Sequence, residues 1–224
     1  MLLAIDTATR MAGLALYDPA AGRILGEETW YSLNNHTVEL MPRLVRMLGQ
    51  QGVSPADLTG LSVSLGPGSF TGLRIGLSVA KGLALACRLP LVGVPTLDVV
   101  AQPHMLQGLP IWAVLQAGRK RICVGRYGCY QGRWRQRGTY QLTTWEALCE
   151  QIEEPALLCG EIEARDTDLI RLRLGEVATV ATPASSLRRA AYLAELGWNR
   201  LARGESDAAA TLSPIYLHDP QVHA

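Results

Sequence analysis

Apolar positions along the chain fall into short runs whose period changes. Residues 2–6 are an apolar run that ends on Asp6 and predict a buried strand. Residues 11–17 and 23–31 predict two further strands, joined by the polar turns Thr7-Ala8-Thr9-Arg10 and Asp18-Pro19 with the small residues up to Gly22. Three sequential strands with short turns predict an antiparallel meander. The period then becomes helical over residues 37–51, where Leu40, Leu44, Met47 and Leu48 form one stripe and Val38, Met41 and Val45 a second beside it; Gly52 suits the stop. Residues 61–65 predict a buried strand, Gly66-Pro67-Gly68-Ser69 a break, 70–87 a long helix, and 91–94 a strand that leads through Pro95-Thr96 into a short helix.

A second half starts near Leu109. Residues 111–116, 121–127 and 134–142 predict another three-strand meander, 144–152 a helix opened by a Thr cap, 157–159 and 177–180 strands, and 186–203 a helix. Both halves follow one order: three strands, helix, strand, helix. That predicts an α/β fold with mixed sheets in two similar lobes, residues 1–106 and 107–224.

Composition sharpens the picture in three places. Hydrophobic residues make up 48% and charged residues 18%, enough to bury a core; with 6% aromatics and Phe70 as the single Phe, that core is aliphatic. The net charge of +1 gives no global signature for a polyanion, although all but two of the 21 cationic side chains (Lys81 and Lys120) are Arg. The five cysteines contain no CxxC pair, and Asp6 interrupts the apolar start too early for a signal segment, so reduced thiols and a cytoplasmic location are expected.

The segment from Ser64 to Gly76, Ser-Leu-Gly-Pro-Gly-Ser-Phe-Thr-Gly-Leu-Arg-Ile-Gly, joins a strand to a helix. Its glycines permit a tight turn and close backbone approach, with Ser69 or Thr71 as cap. Two readings stand side by side. A Gly-rich turn at a helix N-terminus is an anion site in general form, which would use Gly66, Gly68, Ser69, Thr71, Gly72 and Arg74. The spacing matches neither GxGxxG nor a P-loop, which favours a purely structural turn. Within the helix, Gly72, Gly76 and Ala80 line one face. Such a small-residue row admits another backbone, so the helix is either central to the core or shared with a partner chain. The second stripe of helix 37–51 would be exposed unless something covers it.

From Val99 to Trp145 there is no Asp or Glu, while Arg119, Lys120, Arg121, Arg126, Arg133, Arg135 and Arg137 alternate with Trp112, Tyr127, Tyr130, Trp134 and Tyr140. That mixture suits RNA contact, with Arg119, Arg121, Arg133, Arg135 and Arg137 as candidates; a solvated hairpin face is the plain alternative. Catalytic constellations are sparse. His36, His104, His218 and His223 form no i,i+3 or i,i+4 pair, so no metal site is expected. Asp6, at a strand end, could face a hydrated Mg²⁺; with Thr7 and Thr9 it is the candidate remnant of a nucleotide or phosphate site.

At these residues the chain resembles the TsaB family, bacterial partner subunits of the machinery that forms threonylcarbamoyladenosine in tRNA. The matching pieces are Leu3-Ala4-Ile5-Asp6-Thr7-Ala8-Thr9, His36-Thr37-Val38-Glu39-Leu40-Met41-Pro42, the Gly66–Gly76 string with Ala80-Lys81-Gly82, Val94-Pro95-Thr96-Leu97 and Pro214-Ile215-Tyr216-Leu217. The resemblance implies the actin/Hsp70-like fold and a non-catalytic subunit with no cofactor. It implies pairing with a catalytic TsaD-type subunit that modifies adenosine 37 of tRNAs reading codons that start with A, a TsaE-type ATPase in the assembly, tRNA met through the complex, and a homodimer when alone. It places the interface on helices 37–51 and 70–87, hence on Val38, Met41, Val45, Leu73, Gly76, Leu77 and Ala80. One departure stands out: the family's usual Asp-Ala-Arg string reads Gln116-Ala117-Gly118-Arg119 here. The residues themselves leave two alternatives: an enzyme in its own right, ATPase or metallopeptidase-like, or an RNA-binding module acting through the Arg-rich second lobe.

Overall fold

The computed structural model describes residues 1–33 and 35–217; His218 and His223 lie outside them. The chain forms two compact units. The first comprises Met1–Val99 with Arg188–Ile215, the second Val100–Leu187 with the described residues from Tyr216 on. The expected division into two contiguous halves at 106/107 is thereby corrected. The last helix is apolar on the side that packs against the first unit's sheet, so the chain returns there after building the second unit.

In the first unit, β1 (Leu2–Asp6), β2 (Met11–Asp18) and β3 (Arg23–Tyr31) form the antiparallel meander. Helix α1 (His36–Gln50) follows, then β4 (Gly60–Gly66), α2 (Phe70–Cys87) and β5 (Leu91–Pro95). The sheet order is β3-β2-β1-β4-β5, with β4 parallel to both β1 and β5. Side chains alternate across β1. Leu3 and Ile5 face the core under α1 and α2, whereas Leu2 and Ala4 face α6 (Ala190–Leu201), which contributes Ala190, Leu193 and Ala194. The sheet is thus covered on both faces, which is why Leu2–Ile5 of β1 read as an unbroken apolar run and why even Ser62 and Ser64 of β4 are buried.

The second unit repeats the order. β6 (Ile111–Gln116), β7 (Arg121–Tyr130) and β8 (Arg133–Thr144) form a meander, followed by α4 (Trp145–Cys149), β9 (Ala156–Gly160), α5 (Ala164–Leu174) and β10 (Ala178–Val180), in sheet order β10-β9-β6-β7-β8. Trp112, Val114, Ile122 and Val124 pack with Leu148 and Ile170 of α4 and α5. Short α3 (Thr96–Ala101) spans the boundary between the units. Helix α5 is absent from the sequence expectation, which gave that place in the order to 186–203. That last helix is also shorter than expected.

Helix α2 has the length and apolar composition of a membrane span. In this fold it is a core helix of the first unit: Leu73, Leu77, Ala80 and Ala84 are buried, while Arg74, Ser78 and Gly82 are exposed. The helix thus has one buried face and one open face.

The cysteines are free. Burial pushes the Cys123 thiol up to about 11, against a smaller opposing pull from Arg121, and the Cys159 thiol up to about 12. Cys129 is exposed near the β7–β8 turn. Thiolate is the reactive form. Iodoacetamide at about pH 8 is therefore expected to alkylate Cys129 well before Cys123 and Cys159, which become reactive only on unfolding. Peptide mass spectrometry against time checks the order, and early labelling of Cys159 would contradict the buried assignment.

Candidate functional site

Helix α1 docks on the sheet through its first stripe and through polar contacts with β3. Leu40, Leu44, Met47 and Leu48 are buried. The Trp30 indole N–H donates to Glu39 Oε2 at 3.0 Å, Arg43 stacks over the Trp30 ring at 4.6 Å, and Arg43 and Arg46 both pair with Glu28. Those contacts fix the rotation of α1 and turn the second stripe outward: Val38 is 70% exposed, Met41 41% and Val45 62%. Pro42 has no N–H to offer the Val38 carbonyl, so the helix ladder is interrupted on that side.

Phe70 stands beside this stripe at the start of α2, half exposed, with the Arg74 guanidinium 3.8 Å above its ring. Between the helices runs a groove of about 460 Å³ lined chiefly by Leu40, Met41, Phe70, Arg74, Ile75 and Val79. Single exposed apolar residues do not produce such a groove.

The other expected interface residues lie elsewhere. Leu73, Gly76, Leu77 and Ala80 are buried inside the first unit and cannot meet a partner while it is folded. The small-residue face of α2 does admit a close backbone, but it is the chain's own β1–β2 turn. A Cβ on Gly72 would stand 2.2 Å from the Thr7 carbonyl oxygen, and one on Gly76 2.2 Å from Thr7 Oγ1. The Thr7 hydroxyl donates to the Gly72 carbonyl at 2.7 Å. The sequence pattern located the face and left its occupant open between core and partner; the resemblance gave it to a partner, and the structure gives it to the chain's own turn.

The same packing decides the glycine-rich loop. The Ser69 N–H donates to the Ala8 carbonyl at 2.6 Å, and a Cβ on Gly68 would stand 2.2 Å from that oxygen. The Gly66 N–H donates to Thr96 Oγ1 at 3.0 Å, the Gly66–Pro67 peptide is cis, and Ser69 Oγ caps α2 by accepting the Gly72 N–H. Gly68, Ser69 and Gly72 are therefore committed to seating the loop on the β1–β2 turn, and Gly66 to Thr96, which favours the structural reading over an anion cradle. Thr71 and Arg74 remain exposed on the outer side.

Asp6 is not an open carboxylate. Its Oδ1 accepts the Ala8 N–H at 2.9 Å, and its Oδ2 accepts Arg188 Nε at 2.5 Å with both side chains almost fully buried. Arg188 also donates to Thr9 Oγ1 at 3.1 Å and to the Met11 carbonyl at 2.6 Å. The candidate remnant Asp6, Thr7 and Thr9 is thus filled from within: a guanidinium stands where a cation would have to bind, and Thr7 is bound to α2. His36, the first residue of α1, lies buried beside this cluster. Burial lowers its pKa, with Glu39 and a hydrogen bond to the Thr9 backbone pulling the other way. Sequence reasoning missed Arg188, which sits 182 residues from Asp6.

At the matching strand end of the second unit, Gln116 takes the place of that acid. Its side-chain amide donates to the Glu161 carbonyl at 3.0 Å and to Asp166 Oδ2 at 3.2 Å, and its backbone N–H donates to Glu161 Oε2 at 3.0 Å. Among the described residues no group of three His, Cys, Asp or Glu side chains is arranged to hold a metal.

The five candidate RNA-contact arginines do not form one patch. Arg121 pairs with Thr144 and Arg133 with Tyr130 in the β7–β8 ladder, nine residues apart along β7, or roughly 30 Å. Arg119 lies with Arg121 at one end; Arg133, Arg135 and Arg137 lie at the other.

The comparisons with known proteins agree with this layout. A family model described as "TsaD: tRNA N6-adenosine threonylcarbamoyltransferase" matches residues 31–156, more than half of the chain. The chain is 31% identical over 227 residues to the tRNA threonylcarbamoyladenosine biosynthesis protein TsaB of Bacillus subtilis (strain 168), covering 100% of this chain and 96% of that one. The solved structure of YeaZ from Pseudomonas aeruginosa superposes with a TM-score of 0.78 at 28% identity, covering 96% of this chain and 99% of that one. The ethanolamine utilization protein EutJ from Carboxydothermus hydrogenoformans shares the fold alone, with a TM-score of 0.50 at 11% identity over 86% of this chain and 89% of its own. The α/β class with two mixed sheets and helices, expected from the sequence, is the fold observed.

Proposed function

The chain belongs to the TsaB family, and on that premise we propose that it serves the formation of N6-threonylcarbamoyladenosine at position 37 of tRNA as a non-catalytic subunit paired with a TsaD-type catalytic subunit. The observation that carries this reading is the uncovered apolar face of α1 and the head of α2: Met41 and Phe70 line one groove, and Val38 and Val45 stand exposed on α1 beside it. Buried aliphatic and aromatic anchors at the centre of an interface supply most of its affinity. The filled Asp6 site supports the non-catalytic part, because the acid that would meet a cation is neutralised by Arg188. In this reading the subunit acts in the cytoplasm, a TsaE-type ATPase joins the pair, tRNA is met through the assembly, and the same face closes a homodimer when the catalytic subunit is absent.

The test uses Val38→Asp with Val45→Asp. Both side chains are exposed, so the first unit should fold normally. Placing two carboxylates in the interface is expected to weaken pairing by about 30-fold or more, the equivalent of about 2 kcal/mol. The reconstituted modification, followed by mass spectrometry of tRNA nucleosides, should fall in parallel. Pairing and yield both at the unaltered level would overturn the assignment of this face. Yield that is independent of the chain altogether would overturn the functional reading.

A further inference from the structure

The arginines at the far end of the β7–β8 hairpin are unexplained by the pairing face. Arg126 lies opposite Arg137 in the ladder, Gly128 opposite Arg135 and Tyr130 opposite Arg133, so Arg126, Arg133, Arg135 and Arg137 share one face of the sheet. Trp112 of β6 lies beside Arg126 on the same face. Like charges directly across a ladder destabilise it. Glu154 pairs with Arg126 at 2.5 Å, whereas among the described residues no ion pair takes up Arg133, Arg135 or Arg137. Protecting an edge strand needs far less charge than this.

Two of the guanidinium groups are held flat: Arg126 stacks over Trp112 at 5.5 Å and Arg137 over Tyr130 at 5.0 Å. Such stacking reduces the motion lost on binding a ligand. Between Arg126 and Arg137 opens a groove of about 280 Å³, floored by Trp112 and walled by Thr139, Gln141 and Gln151. Two guanidinium forks suit phosphate. Hydroxyl and amide side chains suit base edges and the ribose 2′-OH that distinguishes RNA. Along β8 the arginines recur at every second residue, about 6.6 Å apart, close to the separation of successive phosphates in one strand.

We propose that this face binds RNA, with the phosphodiester backbone running along Arg133, Arg135 and Arg137 and one nucleotide seated in the groove beside Arg126. The choice of RNA over other polyanions rests on the tRNA-modification reading above. Arg119 and Arg121, at the opposite end, take no part.

The test measures binding of fluorescently labelled tRNA to the full chain by anisotropy at several salt concentrations, for the natural protein, Arg133→Glu/Arg135→Glu/Arg137→Glu and the corresponding Gln triple. The natural chain should bind with a salt slope that falls by about 2–3 in the Glu variant, as three lost phosphate contacts require, and with an affinity at least tenfold higher. The Gln triple should lose most of that affinity too, which separates lost contacts from added repulsion. All three are exposed, so thermal unfolding should be unchanged or raised. Equal tRNA affinity in the natural chain and the Glu variant would overturn the proposal, as would equal affinity for a DNA duplex of the same length. Pairing with the catalytic subunit is measured on the same preparations. Its loss in the natural chain would overturn the functional reading while leaving the tRNA measurement valid.

Discussion

Asp6→Ala is expected to cost about 3–5 kcal/mol of stability, because it leaves Arg188 charged and buried without its carboxylate. That is a large part of the 5–15 kcal/mol or so that a domain possesses, so the first unit should unfold early in urea and lose hydrogen-exchange protection along β1 and β2. The remaining acceptors, Thr9 Oγ1 and the Met11 carbonyl, are neutral and offset little of the loss. The double variant Asp6→Ala/Arg188→Met should recover most of it, since removing both charges spares their desolvation. The cycle separates two roles for Asp6. If the acid served only a ligand, the single change would leave the urea midpoint within about 1 kcal/mol of the natural protein and the double variant would be the worse of the two.

Asp6 also marks where sequence reasoning stops. Its position at a strand end was legible, because a short apolar run closing on a charge has few other readings. Its partner was not: no periodicity links Arg188 to Asp6 across 182 positions. Elements with a strong period, such as β1, β3 and α2, were read with the bounds they have. Helix α5 was not, because its charges outnumber its buried positions: Asp166 and Ile170 are buried, and Leu172 points outward. A sharper signal was present in the Glu163 and Asp166 capping box that opens it. The last helix was read correctly as a helix and assigned to the wrong unit, because a local pattern says which face is apolar and not which sheet covers it. The basic segment shows the same limit. Its charge excess is plain in the sequence, but the β7–β8 register decides that Arg137 faces Arg126 while Arg121 sits strands' length away.

The glycines of α2 are the clearest instance, and they set up the second large effect. Gly72 and Gly82 look alike in sequence, both interior to one helix and both unfavourable there by propensity. The structure separates them. A Cβ at Gly82 meets nothing within 4 Å, whereas one at Gly72 would stand 2.2 Å from the Thr7 carbonyl oxygen, a backbone atom of the turn that directly follows Asp6. Gly82→Ala is therefore expected to stabilise the protein by about 0.5–1 kcal/mol through helix propensity. Gly72→Ala should destabilise it by roughly 3 kcal/mol, at the upper end of overpacking, since α2 must move off the turn and break the Thr7–Gly72 hydrogen bond. Gly76→Leu should act in the same direction, its side chain driven against Thr7. Any loss of pairing by that variant would follow from unfolding and would say nothing about the interface. Urea midpoints of the single variants decide the matter. Opposite signs for Gly72→Ala and Gly82→Ala establish that the small-residue face receives the β1–β2 turn, while a stable Gly72→Ala chain that no longer pairs would return that face to a partner.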